Sequence, residues 1–382
     1  MAVVSKESRI SVSIWRRHKA LDRVGLLARK GYHVAHVVLC RALRRPPRYL
    51  PVVLLFITFR CNLRCKMCGV CEHILSGEKV QELSTEEWKT VVDSAALLRT
   101  MIISISGGEP LLRPDLFEII RYIRNKDIAV HLCTNGVLLD ARRVAGLRES
   151  GVNTVSVSIE NFDRDVHEAL RGPNTFEPAV EGIRRLRRDA PEIRVGINCV
   201  FTTRNFRNMA AMIPFAEKLD VHQIKFAPIH TNLLHKRKHI EQYADLIFRE
   251  EDLAELDQEM KAVKQAAVRT RVQTTSSMFL SGASSLYRQP RRFTCYAGYA
   301  TCAINPDGNV APCCDMDSHV SVRETPLHML WRSPEFQRLR KQVHRCKSAC
   351  WDTTNTELSL RLRPDTLLGE IKQTWRDIGF YF

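Results

Sequence analysis

From residue 52 to residue 227, short apolar runs alternate with longer segments whose apolar residues recur at helical spacing. This alternation limits the fold more than any other feature of the chain. Strands are expected over 52–58, 101–106, 129–133, 154–159, 193–200 and 222–227, because each run is too short for a helix and suits a buried strand. Helices are expected between them over 84–98, 114–124, 140–149, 176–188 and 206–218, the first opened by a capping box of Ser84 and Glu87. Strands separated by such helices pair in parallel, since the chain must cross the sheet face before the next strand begins, and those crossovers are right-handed. The fold class is therefore α/β, six strands in a parallel sheet or barrel. Beyond residue 230 the order breaks. A basic run spans His235–His239, a helix is expected over 251–268, a polar loop over 274–292, and a Cys-rich region over 295–350 precedes a charged tail.

Composition adds two constraints. A chain of 382 residues buries a core without cross-links, so its thirteen cysteines are not needed to hold the fold. The odd number and the lack of a secretory signal turn attention from disulfides to metal ligation. Charge is the second constraint. Residues 1–50 carry twelve Lys and Arg against Glu7 and Asp22, which is +10 of the formal +16. Apolar positions such as Ile14, Trp15, Leu21, Val24 and Leu27 make this extension a basic amphipathic helical segment. Two readings stand side by side: peripheral contact with an anionic membrane through residues 1–50, or a helix capping the barrel with solvated arginines. No recognisable RNA-binding motif accompanies the basic residues, so no specific nucleic acid is expected. No stretch approaches the roughly 18–20 apolar residues of a membrane-spanning helix. The expected location is cytoplasmic, with the inner face of the membrane as the peripheral variant.

The first strand runs into Cys61-Asn-Leu-Arg-Cys65-Lys-Met-Cys68. Three thiols at the C-terminal end of a parallel strand sit where barrel active sites are built. Iron–sulfur clusters normally take four thiolates, so three leave one iron open. A zinc knuckle short of one ligand, or redox thiols, are the bland alternatives. The second strand ends in Ser106-Gly107-Gly108-Glu109-Pro110, where paired glycines allow close backbone approach and Glu109 offers an acceptor to an amino group. In combination these two motifs resemble the radical S-adenosylmethionine (SAM) superfamily.

The resemblance implies a partial (β/α)6 barrel with a [4Fe–4S] cluster on Cys61, Cys65 and Cys68, and SAM held by the open iron. It implies SAM contacts from Gly107, Gly108, Glu109 and Pro110, from Asn135 in Thr134-Asn135-Gly136, and from Ser158 and Arg171 near the carboxylate. Asn198 would face the nucleoside. Met67 stands where an aromatic residue often covers adenine, and Glu160 where Asp is usual, which would shift a ribose or substrate contact. Reductive cleavage of SAM would yield a 5′-deoxyadenosyl radical that takes a hydrogen atom from the substrate, with reduced flavodoxin or ferredoxin as electron donor.

Residues 295–350 contain Cys295, Cys302, Cys313, Cys314, Cys346 and Cys350. The spacing Cys295-x12-Gly308-x4-Cys313, with Trp331–Phe336 before Cys346-x3-Cys350, resembles the SPASM/Twitch extensions of that superfamily. The implied ligands of an auxiliary [4Fe–4S] cluster are Cys295, Cys313, Cys346 and Cys350, with Cys302 and Cys314 as rivals and a structural zinc site as the alternative. The implied organisation is a basic extension over 1–50, a radical SAM core over 51–232 and a helical linker over 233–292. A Twitch-like domain over 293–352 and a tail over 353–382 complete it. The expected activity is an oxidative modification aided by the auxiliary cluster. A lipid or lipid-linked substrate is preferred, with a peptide maturase of the ribosomal-peptide type as the alternative. A non-catalytic zinc or iron–sulfur electron-transfer protein on a degenerate barrel is the competing class. No catalytic acid or base is assigned; His230 and Cys71 are noted as substrate-facing candidates.

Overall fold

The computed structural model describes residues 31–33, 35–68, 80–229, 244–288, 293–347, 350–363 and 380–381. The expectations placed on residues 1–30, on Cys71, on His230 and on the His235–His239 run lie outside them.

Six strands follow the expected order: β1 Val52–Phe56, β2 Ile102–Ser106, β3 Ala129–Thr134, β4 Thr154–Ser158, β5 Arg194–Phe201 and β6 Gln223–Pro228. Each pairs in parallel with the next. Alternate residues point to opposite faces. Val53, Leu55, Ile103, Ile105, Val130 and Leu132 are fully or almost fully buried and join the main core with the surrounding helices. The other register carries small polar side chains, Ser104, His131 and Ser156, which hydrogen-bond to one another. On β2, β3 and β4 the apolar register thus faces the helices and the register with polar side chains the barrel interior.

Local chemistry sets the helices. Ser84 and Glu87 form the capping box before Thr85–Leu97, and Asp140 caps Ala141–Ser150 by accepting from Arg143 N. Helix Arg164–Arg171, absent from the sequence expectation, is capped by Asp163, which accepts from Asp165 N and Val166 N.

The sheet is longer than six strands. With β7 at Gln273–Thr274, β8 at Thr301–Ile304 and β9 at Val310–Ala311, its order is β7-β6-β5-β4-β3-β2-β1-β8-β9, and the two end strands do not pair, so the barrel stays open. β7 (Gln273–Thr274) pairs in parallel with β6, after helix Leu253–Val268 has buried Leu253, Leu256, Met260 and Val263. The described part of the expected linker thus contributes a helix and a seventh parallel strand to the barrel sheet. The stretch expected as a loop over 274–292 contains helices Ser277–Gly282 and Ser285–Arg288. At the other edge β8 (Thr301–Ile304) lies parallel to β1, and β9 (Val310–Ala311) returns antiparallel to it. The Cys-rich region is thus built onto the barrel sheet. Part of the expected tail is also structural: helix Asn355–Arg361 buries Asn355, Thr356, Glu357 and Leu360, and Asn355 accepts from Thr301 Oγ1 at 2.6 Å.

Residues 31–33 and 35–42 are helical, and Val37 and Cys40 are buried against Tyr296, Tyr299, Ala300 and Leu362. The described part of the basic extension therefore docks on the Cys-rich region. No helix among the described residues is long and apolar enough to cross a membrane.

Candidate active site

A cavity of about 900 Å³ opens at the C-terminal ends of β1–β5. Cys61, Cys65 and Cys68 all line it. The loop that carries them is held on two sides. Gly108 N donates to Thr58 O at 2.7 Å and Glu109 N to Arg60 O at 2.8 Å, while Lys66 N donates to Leu170 O at 2.9 Å. A Cβ on Gly108 would lie 2.2 Å from Arg60 O, and one on Gly107 (φ +138°) 2.5 Å from Thr58 O. The glycine pair is required by the cysteine loop itself, whatever it does for a ligand.

Six of the eight expected cofactor contacts line this cavity: Met67, Gly107, Gly108, Asn135, Ser158 and Arg171. Glu109 and Pro110 do not. Glu109 is fully buried, and its Oε1 accepts from Leu111 N (3.0 Å) and Thr134 Oγ1 (2.8 Å) while Oε2 accepts from Asn135 N (2.8 Å). Burial raises its carboxyl above the ordinary range, and these donors pull against that rise. Its visible work is to tie the turn after β2 to the turn after β3. Asn135 is oriented in turn by donating from Nδ2 to Asn62 Oδ1 at 2.8 Å.

Glu160 is likewise fully buried and outside the cavity lining. Its Oε1 accepts from Arg171 Nε (2.8 Å) and Nη2 (2.6 Å), and its Oε2 from Val200 N (2.5 Å). A ribose or substrate contact is not what this geometry shows; Glu160 orients Arg171, whose Nη1 lies 3.8 Å from Cys65 Sγ. Burial works against the guanidinium's charge, but Glu160 outweighs it and holds Arg171 protonated. Asn198 is engaged by Cys133, donating to its Sγ at 3.7 Å. Burial is also the main reason that the Cys65 thiol is pushed up to about 11 and Cys61 is raised, so as free thiols both keep their protons. Binding to iron removes them.

A second, smaller cavity is lined by Cys295, Cys313, Cys346 and Cys350 together, with Asp315, Met316 and Asp352. These are the four thiols that the SPASM/Twitch resemblance implied. Of the rivals, Cys302 sits fully buried in β8 among core side chains, its thiol pushed up to about 12 by burial. Cys314 faces the first cavity, so the adjacent Cys313 and Cys314 open onto different cavities. Met316 borders both. Among the described residues no three Cys, His, Asp or Glu side chains are gathered closely enough to grip one metal ion.

Both regions match known families. The Radical SAM superfamily matches residues 55–213, and an iron–sulfur cluster-binding domain, SPASM, matches residues 295–352. The chain carries a radical SAM domain and a SPASM domain. Its cofactors are accordingly SAM with a [4Fe–4S] cluster and, in the SPASM region, auxiliary iron–sulfur chemistry. This radical SAM chain is 37% identical over 164 residues to an AdoMet-dependent heme synthase of Methanosarcina barkeri (43% of this chain, 46% of that protein). It thus spans under half the length of that relative. It is 26% identical over 293 residues to a PqqA peptide cyclase of Granulibacter bethesdensis, covering 74% of each. Among solved structures, Streptococcus suis SuiB bound to its precursor peptide SuiA shares the fold, with a TM-score of 0.63 at 17% identity over 79% of this chain and 69% of that one.

Several residues of the radical SAM site were missed by motif reading. Glu82 accepts from Thr58 Oγ1 (2.7 Å) and Phe59 N (2.9 Å) just before the cysteine loop. Arg113, almost fully buried, donates to Ile57 O (2.9 Å) and Leu83 O (3.2 Å). A lone Glu and a lone Arg carry no spacing signal. The strip 305–319 also lines the cavity, through Asn305, Asp307, Asn309, Asp317 and His319 among others, and of this strip only the turn Asn305–Gly308 and the cysteines Cys313 and Cys314 were marked by sequence.

Proposed function

We propose that this protein is an oxidative radical SAM enzyme acting on a peptide segment, with Cys61, Cys65 and Cys68 holding the SAM-binding cluster and Cys295, Cys313, Cys346 and Cys350 holding the auxiliary one. The observation that carries the reading is the shared cavity, lined at once by the three-cysteine loop and Arg171 and by the polar strip 305–319 with Cys314. When bound, SAM and its cluster supply a radical able to remove a hydrogen atom from an unactivated carbon, with reduced flavodoxin or ferredoxin as electron source. The chain's own residues bind and orient. Arg171, held by Glu160, presents a fixed positive charge for the SAM carboxylate. Gly107, Gly108 and Asn135 offer backbone and amide partners beside it.

Amides, hydroxyls and carboxylates along 305–319 suit the alternating donors and acceptors of a peptide backbone. The relatives support this class: a PqqA peptide cyclase matches over 74% of both chains, and the SuiB structure contains its precursor peptide. The heme synthases among the relatives favour a macrocycle instead, but Asp307 and Asp317 would repel an anionic one. A lipid substrate has no support from the named relatives, which are heme synthases and a peptide cyclase. The auxiliary cluster lies one residue from the cavity lining through Cys313 and Cys314, which supports its acting as the acceptor of the substrate's electron.

The test is anaerobic reconstitution followed by turnover with SAM and dithionite. About seven to eight irons per chain are expected, with 5′-deoxyadenosine release stimulated by peptides and not by porphyrins. Bound zinc without SAM cleavage would sink the assignment, and stimulation by porphyrin alone would replace the substrate class.

A further inference from the structure

One arginine of the N-terminal helix reaches the auxiliary site. Arg41 Nε donates to the carbonyl oxygen of Cys295 at 2.9 Å. Its Nη1 lies 2.7 Å and 3.0 Å from the two ring nitrogens of His344, and its guanidinium carbon stands 5.4 Å from the Tyr299 ring centroid. Tyr299 Oη is 2.9 Å from His344 Nε2, so the three side chains form one unit. His344 lies in helix Pro334–Arg345, directly before Cys346. Arg41 therefore bridges the two arms that bring Cys295 and Cys346 to the second cavity. Around it, Val37 and Cys40 are buried against Tyr296 and Tyr299, Gln337 donates to Arg44 O at 2.8 Å, and Trp331 Nε1 donates to Pro47 O at 2.9 Å.

We propose that Arg41 is a positioning residue for the auxiliary cluster, its fork fixing the Cys295 and Cys346 arms relative to each other and its charge raising the cluster's reduction potential. The proposal rests on the four-thiol assignment above. A guanidinium is always charged and presents several donors in a rigid plane, which suits a clamp between a carbonyl and an imidazole. Reduction adds negative charge to a cluster, and the potential follows nearby charge and hydrogen bonding. A fixed cation one hydrogen bond from a ligand's backbone favours the reduced form. Arg41 thereby gives the described end of the basic extension a role inside the protein.

The experiment uses the full chain carrying Cys61→Ala, Cys65→Ala and Cys68→Ala, so that only the auxiliary cluster remains. Iron content and a redox titration followed by electron paramagnetic resonance are compared for this parent, Arg41→Gln and Arg41→Lys. Arg41→Gln is expected to shift the reduction equilibrium about tenfold toward the oxidised form, which is about 59 mV for one electron. Arg41→Lys keeps the charge and loses the fork, so its potential stays near the parent's while its resonance line shape and iron retention change. An unchanged potential and line shape in both variants overturns the proposal, and so does an equal shift in both. Should Arg41→Gln not fold, Arg41→Lys decides through line shape and iron retention. A parent that binds no iron overturns the four-thiol assignment and this inference together, which separates the two failures.

Discussion

Replacing Gly108 by alanine tests whether the glycine pair serves the cysteine loop or only the ligand. The new Cβ would stand 2.2 Å from Arg60 O and 2.7 Å from Arg60 C, both backbone atoms that cannot swing aside. The segment Thr58–Arg60 must retreat by about 1 Å or more to restore ordinary contact. That movement breaks two short hydrogen bonds, Gly108 N to Thr58 O and Glu109 N to Arg60 O. Overpacking of this kind costs about 1–3 kcal/mol, and each backbone hydrogen bond contributes about 0.5–1.5 kcal/mol. Gly108→Ala should therefore destabilise the site by about 2–6 kcal/mol.

A fold stable by about 5–15 kcal/mol survives a loss at the lower end of that range. The damage falls on the segment that leads into Cys61, so the first cluster should be lost before the fold. Iron per chain after anaerobic reconstitution, measured beside SAM binding and the unfolding midpoint, reads this directly. The expected result is a loss of the first cluster's iron with the auxiliary iron retained. A variant that keeps full iron and the parent's unfolding midpoint, and loses only SAM affinity, would refute the reasoning and return the glycines to a purely ligand-facing role.

Glu160→Gln should destabilise the protein by about 3–5 kcal/mol, because it strands the Arg171 guanidinium in a buried setting, and SAM affinity measured by calorimetry should fall with it. Unchanged SAM binding would remove Arg171 from the site. Cys313→Ala should abolish the auxiliary cluster, whereas Cys314→Ala and Cys302→Ala should retain full iron; equal iron loss in Cys313→Ala and Cys314→Ala would refute the division of the two thiols between cavities. Burial pulls His131 and His167 down to about 3, so both are neutral in the fold and titrate normally when unfolded. Depressed values mean that their stabilisation is complete above about pH 6.5 and is lost as pH falls toward 3. Unfolding free energy should therefore drop between pH 6.5 and 5 by up to about 2.7 kcal/mol per pH unit, and His131→Gln should halve that slope in urea titrations; a flat profile would count against it.

The first six strands and most of the helices between them were legible because their signals are local: an apolar run, a capping Ser84 or Asp140, a turn. The cysteine spacings were legible for the same reason, and the four thiols chosen from 295–350 do share a cavity. What escaped is non-local. β8 is a four-residue strand whose partner β1 lies some 250 residues earlier, and no local pattern announces such a pairing. Motif position also says nothing about whether a carboxylate faces the cavity or the protein behind it, so the hydrogen bonds that Glu109 and Glu160 make within the protein were not legible. One signal was available and unused. Ser104, Ser106, Ser156 and Ser158 alternate with isoleucine and valine, and that register marks the polar interior of the barrel.

The pairing of β8 with β1 decides how the two halves of the active site relate. Because the strands run parallel, with Leu54 opposite Ala303 and Leu55 opposite Ile304, the chain leaves both at the same end of the sheet. One exit leads to Cys61, the other to the turn Asn305–Asn309 and then to Cys313 and Cys314. Further bonds lock the exits together: Leu83 N donates to Pro306 O at 2.7 Å, and Arg323 pairs with Glu87 at 2.8 Å while donating to Gln81 O at 2.9 Å. A hinge between separate domains would let the distance from the three-cysteine loop to Cys313 vary with substrate. A continuous hydrogen-bonded ladder does not, since sliding it by one residue would turn every side chain to the wrong face. The separation between the three-cysteine loop and Cys313 is therefore set by strand register, and under the proposed function a substrate adapts to that span by its own conformation.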